Sequence, residues 1–202
     1  MSTTRLPAEE RRAALLETAC AVFSQGTYRG TTTAEIAREA GVTEPILYRH
    51  FDSKRDLYLA CLEETWAGVQ TMWDAAIAAE PDPALWVAAI GRSFVESEVE
   101  RPLISNLWVQ ALAEASEDPA IRAYMKGHMR AVHAYVVAIA RRAQSLGAID
   151  AERDIEAEAW IFISLGLLSM ADRVFDGVML DNWPAIRRSR LRWLTGRNDP
   201  LD

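Results

Sequence analysis

The stretch TTAEIAREAGVTEPILYRHFDSK, from Thr32 to Lys54, restricts what this chain can fold into more than any other part of it. Thr32 is placed to cap a short helix, and Glu35, three residues on, completes a capping box. Ile36, Ala37 and Ala40 give that helix a buried side, Gly41 supplies the left-handed residue that ends it, and Val42 plugs the corner. Thr43 is placed to cap a second helix, which tolerates Pro45 because proline fits the first turn. Leu47 and Phe51, four apart, face inward. Thr43, Glu44, Pro45, Ile46, Tyr48, Arg49 and His50 are left on open faces, the arrangement in which a short helix enters a DNA groove. An ordinary solvated face is the competing reading. Caps, turn residues and helix length all agree, and that agreement favours a helix-turn-helix over about 32–51.

The apolar spacing is helical nearly throughout, with no convincing strand alternation. Pro7 to Gln25 reads as a first helix, with Leu15, Ala19, Val22 and Phe23 inward and Gly26 at its end. Ser53 and Asp56 open a long helix to about Glu80, striped by Tyr58, Leu62, Trp66, Val69, Trp73 and Ile77. Pro81-Asp82-Pro83 and Arg101-Pro102 bracket a helix ending near Glu100, and a shorter one carries Leu103, Leu107, Trp108 and Ala111. Asp118-Pro119 is a start signal for a helix closed by Gly147. Helices from about Ala151 to Phe175 and from about Pro184 to Leu194 complete the chain. The expected fold is all-α, around nine helices. A three-helix DNA-binding head occupies 1–56, and a larger helical body occupies 57–202.

Half of the 202 residues are apolar and a quarter charged, an ordinary globular composition. The longest apolar run, WIFISLGLLSMA from Trp160 to Ala171, falls well short of the roughly 20 residues that span a bilayer. No basic segment leads into an apolar signal region, so a cytoplasmic protein with no membrane partner is expected. Cys20 and Cys61 lack metal-ligand spacing and read as reduced core thiols. The net charge of −7 argues at first against nucleic acid. Residues 1–56, however, hold eight Lys/Arg against eight acids, so the excess negative charge lies in the remainder. A neutral head on an acidic body is compatible with DNA, because the placement of charge sets the local field.

The segment from Arg11 to about Leu62 resembles the DNA-binding domain of the TetR (tetracycline repressor) family of bacterial transcription regulators. The phrases that carry the resemblance are LLETACAVFSQGTYRGTT, AEIAREAGV, LYRHF and the SK opening the fourth helix. Ala34 and Ile46 depart from the tetracycline repressor itself, which has Arg and Thr there, so its operator sequence is not carried over. The resemblance implies a homodimeric, ligand-responsive regulator, most often a repressor, on a near-palindromic double-stranded operator.

The expected DNA-contacting set is Thr32, Thr33, Thr43, Glu44, Pro45, Ile46, Tyr48, Arg49, His50 and Lys54. Tyr48, His50 and Lys54 suit phosphates. Glu44 can accept from a cytosine amino group, and Pro45 or Ile46 can touch a thymine methyl. Seven tryptophans are generous for this length. Trp66, Trp73, Trp86, Phe94, Trp108, Tyr124, Met125 and His128 either form core or line a cavity for an apolar or aromatic effector. The Trp160–Ala171 helix is apolar nearly all round, which demands neighbours on all sides. With the last helix it resembles the family's dimer-forming pair, giving Trp160, Ile161, Ser164, Leu167, Leu168, Ala171, Phe175, Ile186 and Trp193 as expected dimer contacts.

No phosphate loop, nucleophile elbow or metal box is present in the sequence, so neither an enzyme nor a cofactor is expected. His128 and His133 are five apart and diverge by about 140° around a helix, too far to share a metal. A helical small-molecule binding protein without sequence-specific DNA recognition is the remaining alternative.

Overall fold

The computed structural model describes residues 8–100 and 102–196, so Pro7 and Arg101 lie outside the described residues. The elements are α1 (Ala8–Gln25), α2 (Thr33–Glu39), α3 (Glu44–Leu47), α4 (Lys54–Ala79), α5 (Trp86–Glu100), α6 (Leu103–Glu114), α7 (Pro119–Ser145), α8 (Ile155–Val174) and α9 (Trp183–Thr195). Single 3-10 turns at Pro83–Leu85 and Leu180–Asn182 precede α5 and α9, and no strand occurs among the described residues.

Most helix ends sit where local chemistry puts them. The Asp118 carboxylate accepts from the amides of Ala120 (2.8 Å) and Ile121 (3.3 Å), with Pro119 behind it, and so starts α7. Ser53 Oγ accepts from Asp56 N at 3.0 Å to start α4. Gly41 ends the α2 corner at φ 67° and Gly147 closes α7 at φ 73°, a region in which a Cβ is strained. Two expectations need correcting. Thr43 stands at the start of α3 with extended backbone, but its side chain makes no capping bond. α8 begins at Ile155 rather than near Ala151, because the Asp154 carboxylate caps the amides of Glu156 (3.0 Å) and Ala157 (3.2 Å).

The chain divides into two compact units. One comprises residues up to Gly68 together with Glu100–Met125, and the other Val69–Val99 together with residues from Lys126 onward. In the first, α1 packs on α6 and α2, and α2 packs on α3. Leu15, Ala19 and Phe23 of α1, Ile36 of α2, Leu47 of α3, Leu57 and Tyr58 of α4 and Leu107 of α6 are all buried there. Each such side chain contributes roughly 1.5–3 kcal/mol by leaving water. The end of α1 is finished from α6: Asn106 Nδ2 donates to the Ser24 carbonyl, and Gln110 Nε2 donates to those of Phe23 and Gly26, each at 3.0 Å.

In the second unit, Trp73, Trp86, Ile90, Val136, Val137, Ile155, Ile163, Leu191 and Leu194 are buried. Trp73 meets Tyr135 at 5.5 Å and Phe162 at 6.2 Å between ring centres. The buried Asp172 carboxylate closes the α8–α9 turn, accepting from Met179 N (2.8 Å) and Trp183 Nε1 (2.9 Å). Cys20 and Cys61 are free and buried.

Candidate nucleic-acid interface

The candidate reading surface is assembled by α2, the tight corner at Gly41 and α3. Thr32 Oγ1 accepts from Glu35 N at 3.1 Å, so the expected cap of α2 is made. The Val42 amide then donates to the Ala37 carbonyl at 2.9 Å, which turns the chain at the corner. The regular part of α3 is one turn long, and residues 48–50 continue it as turns. Leu47 and Phe51 are buried beneath it as expected. The guanidinium of Arg12, in α1, lies 4.8 Å over the Phe51 ring. That puts a cation beside the segment, and nothing in the local pattern of α1 marks it.

Of the ten expected contacts, Thr32, Thr43, Pro45, Tyr48 and Arg49 are exposed, whereas Glu44, Ile46, His50 and Lys54 are half-buried and Thr33 is buried. Five therefore differ from an open face, and three of these have partners within the protein. Thr33 and Glu44 are turned toward each other, with Thr33 Oγ1 donating to Glu44 Oε1. Lys54 folds back: its ammonium sits 4.7 Å over the Tyr28 ring and donates to the Arg29 carbonyl at 3.4 Å. Burial lowers its pKa, partly offset by the Glu114 carboxylate. The same neighbourhood raises the Tyr28 pKa, first through burial and then through Asp118. Arg29 in turn pairs with Glu114 and Glu117, and Arg55 with Asp118 at 3.4 Å.

The expected effector residues are divided. Trp66, Trp108, Tyr124 and Met125 belong to the first unit, and Trp73, Trp86, Phe94 and His128 to the second. The four tryptophans and Met125 are buried, and Phe94, Tyr124 and His128 half-buried. Several of their polar tips are used internally. Tyr124 Oη donates to Glu63 Oε2 at 3.1 Å, and Trp86 Nε1 donates to the Glu80 carbonyl at 3.0 Å beneath the Arg142 guanidinium. A cleft of about 310 Å³ lies in the second unit between Met72 and Ala76 of α4 and Ala89, Arg92, Ser93 and Glu96 of α5. None of the eight expected residues lines that cleft.

Within the single chain, α8 is not enclosed on all sides. Trp160, Ile161, Ser164, Leu168 and Phe175 are exposed, as is Trp193 of α9, while Leu167, Ala171 and Ile186 are half-buried. Trp160 stacks on the His133 ring at 4.3 Å, and Trp193 Nε1 donates to Glu158 Oε1 at 2.7 Å. Arg190 pairs with the same Glu158. Among the described residues no helix is long and apolar enough to cross a membrane, and no cluster of three or more His, Cys, Asp or Glu is placed to hold a metal ion.

Comparison with known proteins agrees with this geometry. Residues 15–61 match the family model described as "Bacterial regulatory proteins, tetR family". The HTH-type transcriptional activator FasR of Mycolicibacterium smegmatis is 51% identical over 59 residues, 29% of this chain and 27% of FasR. The chain thus spans about a quarter of the length of that curated relative. SCO4454, a TetR-family transcriptional regulator from Streptomyces coelicolor, superposes with a TM-score of 0.78 at 26% identity, covering 93% of this chain and 97% of SCO4454. The regulator FadR from Bacillus subtilis, solved with stearoyl-CoA, has the same fold, with a TM-score of 0.71 at 14% identity over 92% of this chain and 99% of FadR. Residues 15–61 thus match the tetR family of bacterial regulatory proteins in sequence, and the all-α architecture is similar to that of TetR-family regulators over most of the chain.

Proposed function

We propose that this chain is a homodimeric, ligand-responsive transcriptional regulator that represses by occupying a near-palindromic operator in the cytoplasm. The observation that carries the reading is the head itself. A capped α2, a glycine corner and an exposed Thr43–Pro45–Tyr48–Arg49 surface stand within the segment that matches the family. Two such heads related by a dimer axis would enter successive major grooves. The FasR likeness is confined to the head, so its sign of regulation is not carried over.

The effector is proposed to be a mostly apolar or aromatic small molecule. Buried tryptophans favour such a ligand, whereas a highly charged one would be desolvated without partners. FadR from Bacillus subtilis was solved in complex with stearoyl-CoA, a molecule that joins a long apolar chain to a charged CoA group. Effector binding acts on DNA only if it favours one arrangement of the heads over another.

The test is a gel shift with duplex DNA flanking the protein's own coding region. Phosphate contacts make such binding salt-dependent, so about six of them lose on the order of 10³ in affinity between 50 and 200 mM salt. Binding that ignores salt, or that is equal for every duplex, overturns the regulator.

A further inference from the structure

The reading surface carries a run of three polar side chains that operator contact alone does not explain. Thr33 Oγ1 donates to Glu44 Oε1 and lies 3.1 Å from Tyr48 Oη. A hydroxyl has one proton to give, and an ionised carboxylate only accepts. The Thr33 proton goes to Glu44, so Tyr48 is left as the donor to Thr33. The donors therefore run from Tyr48 through Thr33 and end on a negative charge. Both hydroxyl protons are in use.

Hydroxyls of this kind are among the groups that contact phosphate oxygens. Tyr48, 44% exposed, is within reach of a duplex, whereas Thr33 is buried at 8% exposure. The contact between Thr33 and Glu44 is partly shielded from water, which strengthens it relative to an exposed pair. We propose that Glu44 is an internal stand-in for a phosphate. It holds the Thr33 and Tyr48 hydroxyls in the free protein and must release them when the head closes on DNA. The inference rests on the DNA-binding reading above and adds a competitor built into the reading surface.

This role differs in kind from base reading. Opening the Tyr48–Thr33–Glu44 chain precedes contact with any base, so it lowers the affinity for every duplex by the same factor, the closed fraction being unable to bind. A carboxylate accepting from a cytosine amino group would instead alter preference at one base pair.

The experiment measures the affinity of the full chain for an operator selected from a randomised duplex pool, and for a random-sequence duplex of equal length. Glu44→Gln should tighten both by roughly tenfold, the scale of one hydrogen bond to a charged group, and leave their ratio unchanged. In a Thr33→Val, Tyr48→Phe background there are no hydroxyls to release, so the gain from Glu44→Gln should shrink at least threefold. Should that double variant fail to fold by circular dichroism, Tyr48→Phe alone retains the ring, and the gain must still shrink. An unchanged gain in those backgrounds means simple charge removal and overturns the proposal, as does a new base preference at one position or no gain at all. Failure of wild type to bind either duplex overturns the DNA-binding reading, and this inference with it.

Discussion

Tyr58 shows how one side chain fixes distant parts of the first unit. Its ring is fully buried, 5.1 Å from Phe23 and 4.8 Å from Tyr28 between centres, and its hydroxyl donates to the Leu107 carbonyl at 2.6 Å. Burial pushes the phenol pKa well above its ordinary value, so the group stays protonated and able to donate. Tyr58→Phe keeps the ring, and Leu107, inside α6, keeps its intrahelical donor. The expected loss is therefore about 1 kcal/mol, read by urea unfolding; a loss above about 3 kcal/mol would mean that the hydroxyl leaves a buried group unsatisfied. The burial of Tyr58 was legible in the three-and-four spacing of the α4 stripe. Its partner was not, because Leu107 lies 49 residues away and no local pattern encodes it. Lys54 and the Thr33–Glu44 pair follow the same logic. Position in a helix start or on a short helix suggested phosphates and bases, while the Tyr28 ring, the Arg29 carbonyl and the facing helix drew those side chains inward.

At the scale of elements, ends governed by their own residues were legible and ends finished from elsewhere were not. Asp118, Ser53 and Gly147 act within a turn of where they stand, and the structure uses each as its chemistry indicates. Gly41 makes the cleanest test of such local physics. It sits at φ 67° with nothing within 4 Å of where a Cβ would be. Gly41→Ala meets no steric obstacle and should cost only the left-handed backbone strain, about 1–2 kcal/mol by thermal or urea unfolding. A neutral result would mean that the corner relaxes out of that region. The end of α1 is the opposite case, since Asn106 and Gln110 are a helical turn apart on α6 and reach carbonyls more than eighty residues earlier. Gln110→Ala withdraws the donor from two carbonyls, Phe23 and Gly26, at a cost of about 1–2 kcal/mol, the range of one or two net hydrogen bonds. Fraying should be confined to the last turn of α1, where amide exchange of residues 22–26 should speed up while that of α9 does not. Acceleration spread over both helices would refute a local capping role.

For the whole molecule, charge and apolar surface divide the labour. The excess negative charge falls outside residues 1–56, which carry as many basic as acidic side chains, so on the proposed reading repulsion of DNA phosphates is weakest at that segment. Seven of the exposed large apolar side chains belong to one stretch of elements: Trp160, Ile161, Leu168, Val174 and Phe175 of α8 and its end, Val178 beyond it, and Trp193 of α9. Monomeric proteins rarely leave so many large apolar side chains together in water, and a partner surface is their usual destination. On the proposed reading, a second copy of the chain would satisfy this demand through a self-complementary contact of α8 and α9, and interfaces of that obligate kind bury roughly 2,000 Å² or more. The composition of α8 showed that it needs neighbours, but a pattern that is apolar all round cannot say which of them belong to another chain. Leu168, 40% exposed in the single chain, is the position to change. Leu168→Glu would place an unpaired charge in the proposed seam, so it should abolish the dimer, either leaving folded monomer or, if the monomer cannot stand alone, lowering the melting temperature. Leu146→Glu is the control, since that side chain is 59% exposed just after α7 and belongs to neither α8 nor α9, and it should leave the dimer intact. Sedimentation at micromolar concentration decides the matter. A monomeric wild type, or a Leu168→Glu protein still dimeric, would show that the open face of α8 serves something other than its twin.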